Sequence, residues 1–213
     1  MESLYTFTWR RDPIGYEVRK DDEDGELCIY GKSERGETDV YRPFEIGHGR
    51  RVLFQIFADI DLDAAPRSYL AFADRFGLLY RGDEEAVFDW KDQIKDMKSS
   101  VEAWRRGDIA TVCGIFNDHG LRSWTRTHLN LEPPAVPGEK PRLRFRPYDL
   151  SAALWIQFAE AVAADLQIRR CGFPTCGTPF AYGPGTGRRS TALYCSPKCQ
   201  KAHKYQLQLE TEK

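Results

Sequence analysis

With 213 residues, 41% hydrophobic side chains and a net charge of −1, the chain is long enough to bury a core of one large or two small domains. Its longest apolar run, "LSAALWIQFAEAVAADL" at 150–166, is interrupted by Gln157, Glu160 and Asp165 and falls short of the roughly 20 apolar residues of a membrane span, so no transmembrane helix and no membrane partner are expected. The opening "MESLYTFTWRRDP" lacks a basic segment followed by an apolar stretch, so a secretory leader is not expected and a reducing cytoplasm is the expected compartment.

The first predicted elements are strands. "YEVR" and "LCIYG" flank an acidic turn containing Asp24 and Gly25, and "TDVYRPF" follows a second turn at Glu34 to Gly36, which predicts a small antiparallel sheet over about 16–44. From Gly49 the apolar spacing lengthens to a helical period. "RRVLFQIFADI" is followed by "SYLAFADRFGLL", in which Tyr69, Phe72, Ala73 and Phe76 share a face and Gly77 can end the helix. Val87, Trp90, Ile94, Met97, Val101 and Trp104 then form one stripe on a helix of about six turns. The stripe reads as core-facing, because a dimerising coiled coil sustains its heptads for longer. "ATVCGIF" reads as a short buried element, "EPPAVPGEKP" as an exposed connection, and "RLRFRP" as a short strand. Asp149 is placed to cap the helix that begins at Leu150.

Three other features are discounted as sites. Asp59, Asp61 and Asp63 resemble the start of a calcium loop, but the sixth position lacks glycine and the twelfth is Leu70, so helix-terminal solvation is the better reading. "NDHG", Asn117 to Gly120, reads as a polar turn rather than a hydrolase site. Tyr69, Phe72, Phe76 and Trp90 could line a pocket, but aromatic stripes at helical spacing usually form core.

The C-terminal part carries the chemistry. Residues from Ile168 onward hold eight basic side chains against Glu210 and Glu212, a charge of +6, which leaves −7 on the rest of the chain. Cys171, Cys176, Cys195 and Cys199 form two close pairs in the pattern C-x4-C-x18-C-x3-C. Two such pairs can surround one Zn2+, which favours four thiolates in a tetrahedron. Gly177 permits a knuckle turn, "TPFAYGPGTGRRSTALY" a hairpin with Gly183, Gly185 and Gly187 at its tip, and Ser196 with Pro197 a helix start. Two disulfides are the alternative, and His203 could replace one cysteine as a ligand. A shell closed by four thiolates leaves no position for catalytic water, so a structural site and no enzyme activity are expected. Cys28 and Cys113, isolated among apolar residues, read as buried thiols.

Arg188 and Arg189 beside the hairpin tip, with Lys198, Lys201 and Lys204 along the following helix, suggest a surface for phosphates of DNA or RNA. Two alternatives are that Arg169, Arg170 and Lys198 offset the thiolate charge, and that the basic surface meets an acidic protein partner. "GPGTGRRS" is not a nucleotide-binding loop, because it lacks the Gly-Lys-Ser/Thr ending.

The stretch "IRRCGFPTCGTPF…GRRSTALYCSPKCQKAHK" resembles the C-terminal zinc fingers of bacterial CGNR-type proteins, regarded as stress-induced transcription regulators, or those of a related bacterial group with the same finger layout. "YLAFADRFGLL" and "LSAALWIQFAEAVA" are similar to the sensor-like body and linking helix of such proteins. Gln200 and Lys201 stand where those proteins have the Gly-Asn-Arg signature, so the resemblance implies the metal ligands more directly than the DNA contacts. The resulting expectation is an α+β chain: a body over 1–167 with a small antiparallel N-terminal sheet and helices over about 50–167, a treble-clef-like zinc finger over 168–208, and a flexible tail over 209–213.

Overall fold

The computed structural model describes residues 7–22, 25–33, 37–46, 49–50, 52–64, 66–123, 127–132, 142–184 and 186–211. In chain order these form β1 (Trp9–Arg11), β2 (Tyr16–Lys20), β3 (Leu27–Gly31), β4 (Asp39–Tyr41), β5 (Glu45–Ile46), β6 (Gly49–Arg50), α1 (Leu53–Ala58), α2 (Arg67–Phe76), β7 (Glu84–Ala86), α3 (Val87–Arg105), α4 (Ile109–Ser123), β8 (Thr127–Glu132), β9 (Arg142–Pro147), α5 (Leu150–Ala163), β10 (Gln167–Arg170), β11 (Pro179–Tyr182) and α6 (Pro197–Thr211). The fold is mixed α and β, with a small antiparallel sheet and, among the described residues, six helices. Among the described residues no helix is long and apolar enough to cross a membrane.

The β2 and β3 strands pair in antiparallel register from Tyr16 opposite Gly31 to Lys20 opposite Leu27, as their alternation requires. Gly25, at φ 74°, closes the connection by donating its N–H to Asp21 O at 3.0 Å. The third strand of this sheet comes from farther along the chain. β7 lies on the other side of β3, whereas β4 pairs with β1.

The helices bury the stripe read from the sequence. Tyr69, Phe72, Ala73 and Phe76 of α2 are all buried, as are Val87, Trp90, Ile94, Met97 and Val101 of α3, while Trp104 is half-buried. Trp90 sits amid Phe57, Tyr69 and Phe72, with ring centroids 5.9–6.4 Å away, distances at which tilted and edge-to-face aromatic pairs attract. Gly77 ends α2 at φ 81°. A Cβ there would lie 2.2 Å from Arg10 O, so only glycine lets α2 run this close to β1.

The polar residues that interrupt the apolar runs hold the helices together. Gln157 of α5 accepts from Leu53 N at 2.8 Å and Phe54 N at 3.1 Å, satisfying first-turn donors of α1 that no residue of α1 caps. Gln93 of α3 accepts from Trp155 Nε1 at 3.0 Å and Ser151 Oγ at 3.1 Å. Asp149 caps α5, accepting from Ala152 N at 2.8 Å.

Four sequence expectations need correction. "ATVCGIF" belongs to the 15-residue α4, in which Cys113 is exposed rather than buried. "NDHG" continues this helix and is not a turn, and its Asn117 and Asp118 are exposed. The segment read as helical over about 50–167 also contains the β8–β9 hairpin. Finally, α6 continues to Thr211 through the first residues of the expected tail. The turn residues Asp24 and Glu34 to Gly36, and 133–141 of the proline-rich connection, lie outside the described residues.

A buried acid joins these layers. Glu85 on β7 accepts from Leu79 N at 2.9 Å, from Tyr80 N, and from Trp90 Nε1 at 2.6 Å. Burial pushes its carboxyl up from 4.5 to about 8, against the pull of these three donors and with a further push from Asp149. The folded chain therefore retains a proton that the unfolded chain releases between these two values. The associated stability is full below pH 4.5 and is lost as pH rises through about 8. Urea unfolding of the wild type should show a loss of roughly 3–6 kcal/mol across this window, and Glu85→Gln a flatter profile. Parallel profiles for the two proteins would contradict this role for Glu85.

Candidate metal centre

The finger begins where α5 ends. Leu166 N donates to Ala161 O at 2.9 Å and Asp165 N to Val162 O at 3.1 Å, the paired bonds of a Schellman ending, with Asp165 at φ 45° in the left-handed position that glycine usually fills. This stops the helix one turn early and redirects the chain into β10. β10 pairs with β11 from Gln167 opposite Tyr182 to Arg170 opposite Pro179, and Phe180 and Ala181 are buried.

Between these strands lies the first knuckle. Cys176 N and Gly177 N both donate to Phe173 O, at 2.9 and 3.3 Å, and Cys171 N donates to Thr178 O at 3.0 Å. Gly177 has φ 53°, as the tight turn requires. The expected hairpin after it closes through one bridge, Gly183 with Arg188. β11 finds its long partner in β10 instead, and Gly185 lies outside the described residues. The chain then returns to the knuckle, where Leu193 O accepts from Gly172 N at 2.8 Å and Cys195 N points at Cys171 Sγ at 3.4 Å. α6 starts with Pro197, and the Ser196 hydroxyl accepts from Cys199 N at 3.2 Å, a serine cap followed by proline at the first helical position.

These turns bring the four cysteine sulfurs within 4.8 Å of one another. Cys195 Sγ lies 3.6 Å from Cys176 Sγ and 3.5 Å from Cys199 Sγ. A disulfide requires about 2.05 Å, and all four cysteines are free thiols, which removes the disulfide alternative. Metal–thiolate bonds of about 2.3 Å in a tetrahedron place sulfurs about 3.8 Å apart, so the cluster has the dimensions to hold one metal ion. Cys171 is buried and the other three are half-buried.

Three of the thiols have shifted pKa values. At Cys176, burial raises the pKa, but the Thr178 hydroxyl and N–H and the thiols of Cys195 and Cys199 outweigh it and bring the value down to about 7. Burial, then the surrounding thiols, push Cys195 far up. At Cys199 the Ser196 hydroxyl favours the thiolate, yet burial and the sulfurs of Cys176 and Cys171 push it up as well. Cys176 is thus pushed toward the thiolate while Cys195 and Cys199 are pushed away from it, and a cation among the sulfurs would favour the charged form at each of the three.

His203 sits beside the cluster without joining it. Its Nδ1 lies 3.1 Å from the Tyr194 hydroxyl, and its ring rests between Phe173 and Tyr194. The arginines preceding Cys171 are engaged with groups other than sulfur. Arg169 stacks on Tyr182 at 3.7 Å and donates to Ala192 O at 3.1 Å. Arg170 donates to Gly177 O at 3.3 Å and pairs with Asp59 of the body at 2.6 Å. This half-exposed pair adds about 0–1 kcal/mol. Asp59, read from the sequence as helix-terminal solvation, is thus a link between body and finger.

The basic residues divide into two groups. Arg189, Lys198, Lys201 and Lys204 are exposed. Arg188 is half-buried, with its guanidinium over Phe180 and donating to Tyr194 O at 3.3 Å, so it braces the segment that leads into Cys195. Sequence reading missed Tyr205, which is 64% exposed and lies one turn beyond Lys201 on the same side of α6. Its spacing of seven from Lys198 carried that signal.

If a metal holds the two pairs together, a chelator should release the segment 171–204 to proteolysis while metal-replete protein resists. Cys195→Ser should weaken metal binding by more than the about 10–100-fold typical of changes outside the ligand set. Equal protease resistance with and without chelator would show that the finger folds unaided. Searched against protein-family models and against curated proteins, the chain matches none.

Proposed function

We propose that the four cysteines hold one structural Zn2+ and that the chain is a non-enzymatic nucleic-acid-binding protein of the cytoplasm, acting as a transcription regulator. Four soft ligands at tetrahedral spacing suit zinc, and a shell closed by protein ligands favours a role in folding rather than catalysis. The order of knuckle, short hairpin and helix supports a treble-clef-like finger. The resemblance to CGNR-type fingers supports the regulatory role.

One observation carries the nucleic-acid reading. Lys198, Lys201 and Tyr205 line one side of α6, with Lys204 and Arg189 also exposed, in a segment of charge +6 attached to a body of charge −7. Cations interleaved with an accessible aromatic ring suit a phosphate backbone and an unstacked base. Repulsion from the acidic body leaves the finger as the face that a polyanion approaches. Because these contacts go to phosphate and to a generic ring face, the binding is independent of sequence.

Leu193 and Leu209, both exposed, favour a second reading, an adaptor whose finger binds a protein. The two readings differ in their dependence on salt. For DNA or RNA, a plot of log affinity against log salt concentration should have a slope of about −3 to −4, and the double variant Arg189→Ala, Lys201→Ala should reduce its magnitude by about 2. Elemental analysis should give one zinc per chain. Absence of binding to any DNA or RNA fragment at low salt would reject the nucleic-acid reading, and recovery of one protein partner by both the wild type and the double variant would favour the adaptor.

A further inference from the structure

β8 and β9 pair in antiparallel register from Thr127 opposite Pro147 to Glu132 opposite Arg142. In such a pair, directly opposed residues share a face and successive residues alternate between the two faces. The register therefore sorts the ribbon into two unlike rows. Thr127, Leu129 and Leu131 with Leu143, Phe145 and Pro147 make one face almost wholly apolar. His128, Asn130 and Glu132 with Arg142, Arg144 and Arg146 make the other polar and cationic. At the end next to α5, Pro147 of the apolar row is buried and Arg146 of the cationic row is exposed, which sets the arginine row on the solvent side. With His128 neutral the two strands carry +2, in a body whose total is −7. Of the three arginines only Arg142 has an acid opposite it, whereas Arg144 stands opposite Asn130 and Arg146 opposite His128.

A ribbon of this form matches one nucleic-acid groove. Paired strands lie about 4.8 Å apart, so two of them fit within the roughly 12 Å width of the major groove of B-form DNA. Residues two apart along a strand are about 6.8 Å apart, against about 3.4 Å per nucleotide along a DNA strand, so the arginine row keeps step with every second nucleotide. Arginine pairs with the groove edge of guanine and asparagine with that of adenine, and both types stand in this row. We propose that the β8–β9 ribbon lies in the major groove of duplex DNA with its arginine row facing the bases. Duplex RNA is closed to it, because the A-form major groove is too deep and narrow to enter. Groove binding of this kind rests on the chain being a nucleic-acid-binding protein, and it adds base contact to the phosphate contacts of the finger.

Fluorescence anisotropy of the full, metal-loaded chain with a labelled mixed-sequence duplex DNA and the duplex RNA of the same sequence tests the assignment. Duplex DNA should bind at least about 10-fold more tightly than duplex RNA. Arg144→Ala should weaken duplex DNA by about 10-fold or more and remove the preference, with metal content and thermal midpoint unchanged. Arg144→Lys, which keeps the charge but not the paired donors, should restore only part of the affinity. The double variant Arg189→Ala, Lys201→Ala should weaken both duplexes alike and leave the preference intact. Equal affinity of the wild type for the two duplexes, or wild-type affinity for duplex DNA in Arg144→Ala, would overturn the ribbon assignment and leave the finger reading standing. Loss of the preference in Arg144→Ala together with wild-type binding by the double variant would instead overturn the finger reading and support the ribbon. Absence of binding to both duplexes at low salt would overturn both.

Discussion

Four cysteine sulfurs drawn within 4.8 Å of one another are spaced to share one metal ion, and the C-terminal segment is built around that cluster. Its regular structure is too sparse to stand on packing alone. β10 and β11 contribute four residues each, the hairpin beyond them closes through one bridge, and α6 shares no broad packing face with another described helix or strand. Apolar burial is modest: Cys171, Phe180 and Ala181 are buried, but most of the remaining finger side chains are half-buried or exposed. A small unit with so little core relies on a cross-link, and a metal cross-link derives its folding energy directly from the bonds to its ligands.

The body is stabilised differently. Its aromatic interior provides most of the apolar burial, and a few polar side chains placed inside it decide how the helices meet. Glu85 ties β7 to the loop after α2 and to Trp90. Gln157 supplies the missing cap of α1, and Gln93 joins α3 to α5. In each case one side-chain oxygen accepts from two donors, and for Gln157 and Gln93 these belong to elements distant in sequence. Such groups set relative position more than they add stability, because leaving those donors unpaired would cost far more than making the bonds gains.

Much of this could be read from the residues, and the parts that could not share a physical cause. Helices α2, α3 and α5 follow from local periodicity, from Asp149 as a cap and from Gly77 as a stop, all of which act within a few residues. The two cysteine pairs, the Gly177 turn and the Ser196–Pro197 start are local as well. Long-range pairing was not legible: nothing near Glu84 to Ala86 announces that it will lie beside β3, and β4 gives no sign that it belongs with β1. α4 was missed because its polar second half, Asn117 to Gly120, imitates a turn. The division of labour between Arg188 and Arg189 was hidden for the same reason as the role of Asp59, since both depend on which backbone oxygen or guanidinium the fold brings within reach.

The ring of His203 meets Phe173 and Tyr194, and the cysteine cluster meets the first turns of α6. Cys199 belongs to its first turn, whereas from Lys204 onward almost every described side chain is exposed, and 15 residues at about 1.5 Å each carry the far end some 22 Å away. The helix is therefore a lever pivoting on a sulfur, and a tilt of a few degrees at the pivot sweeps its tip through an ångström or more. Tyr205 and Lys204 lie well out along that arm, so their positions depend on how the cysteine cluster sets the first turn.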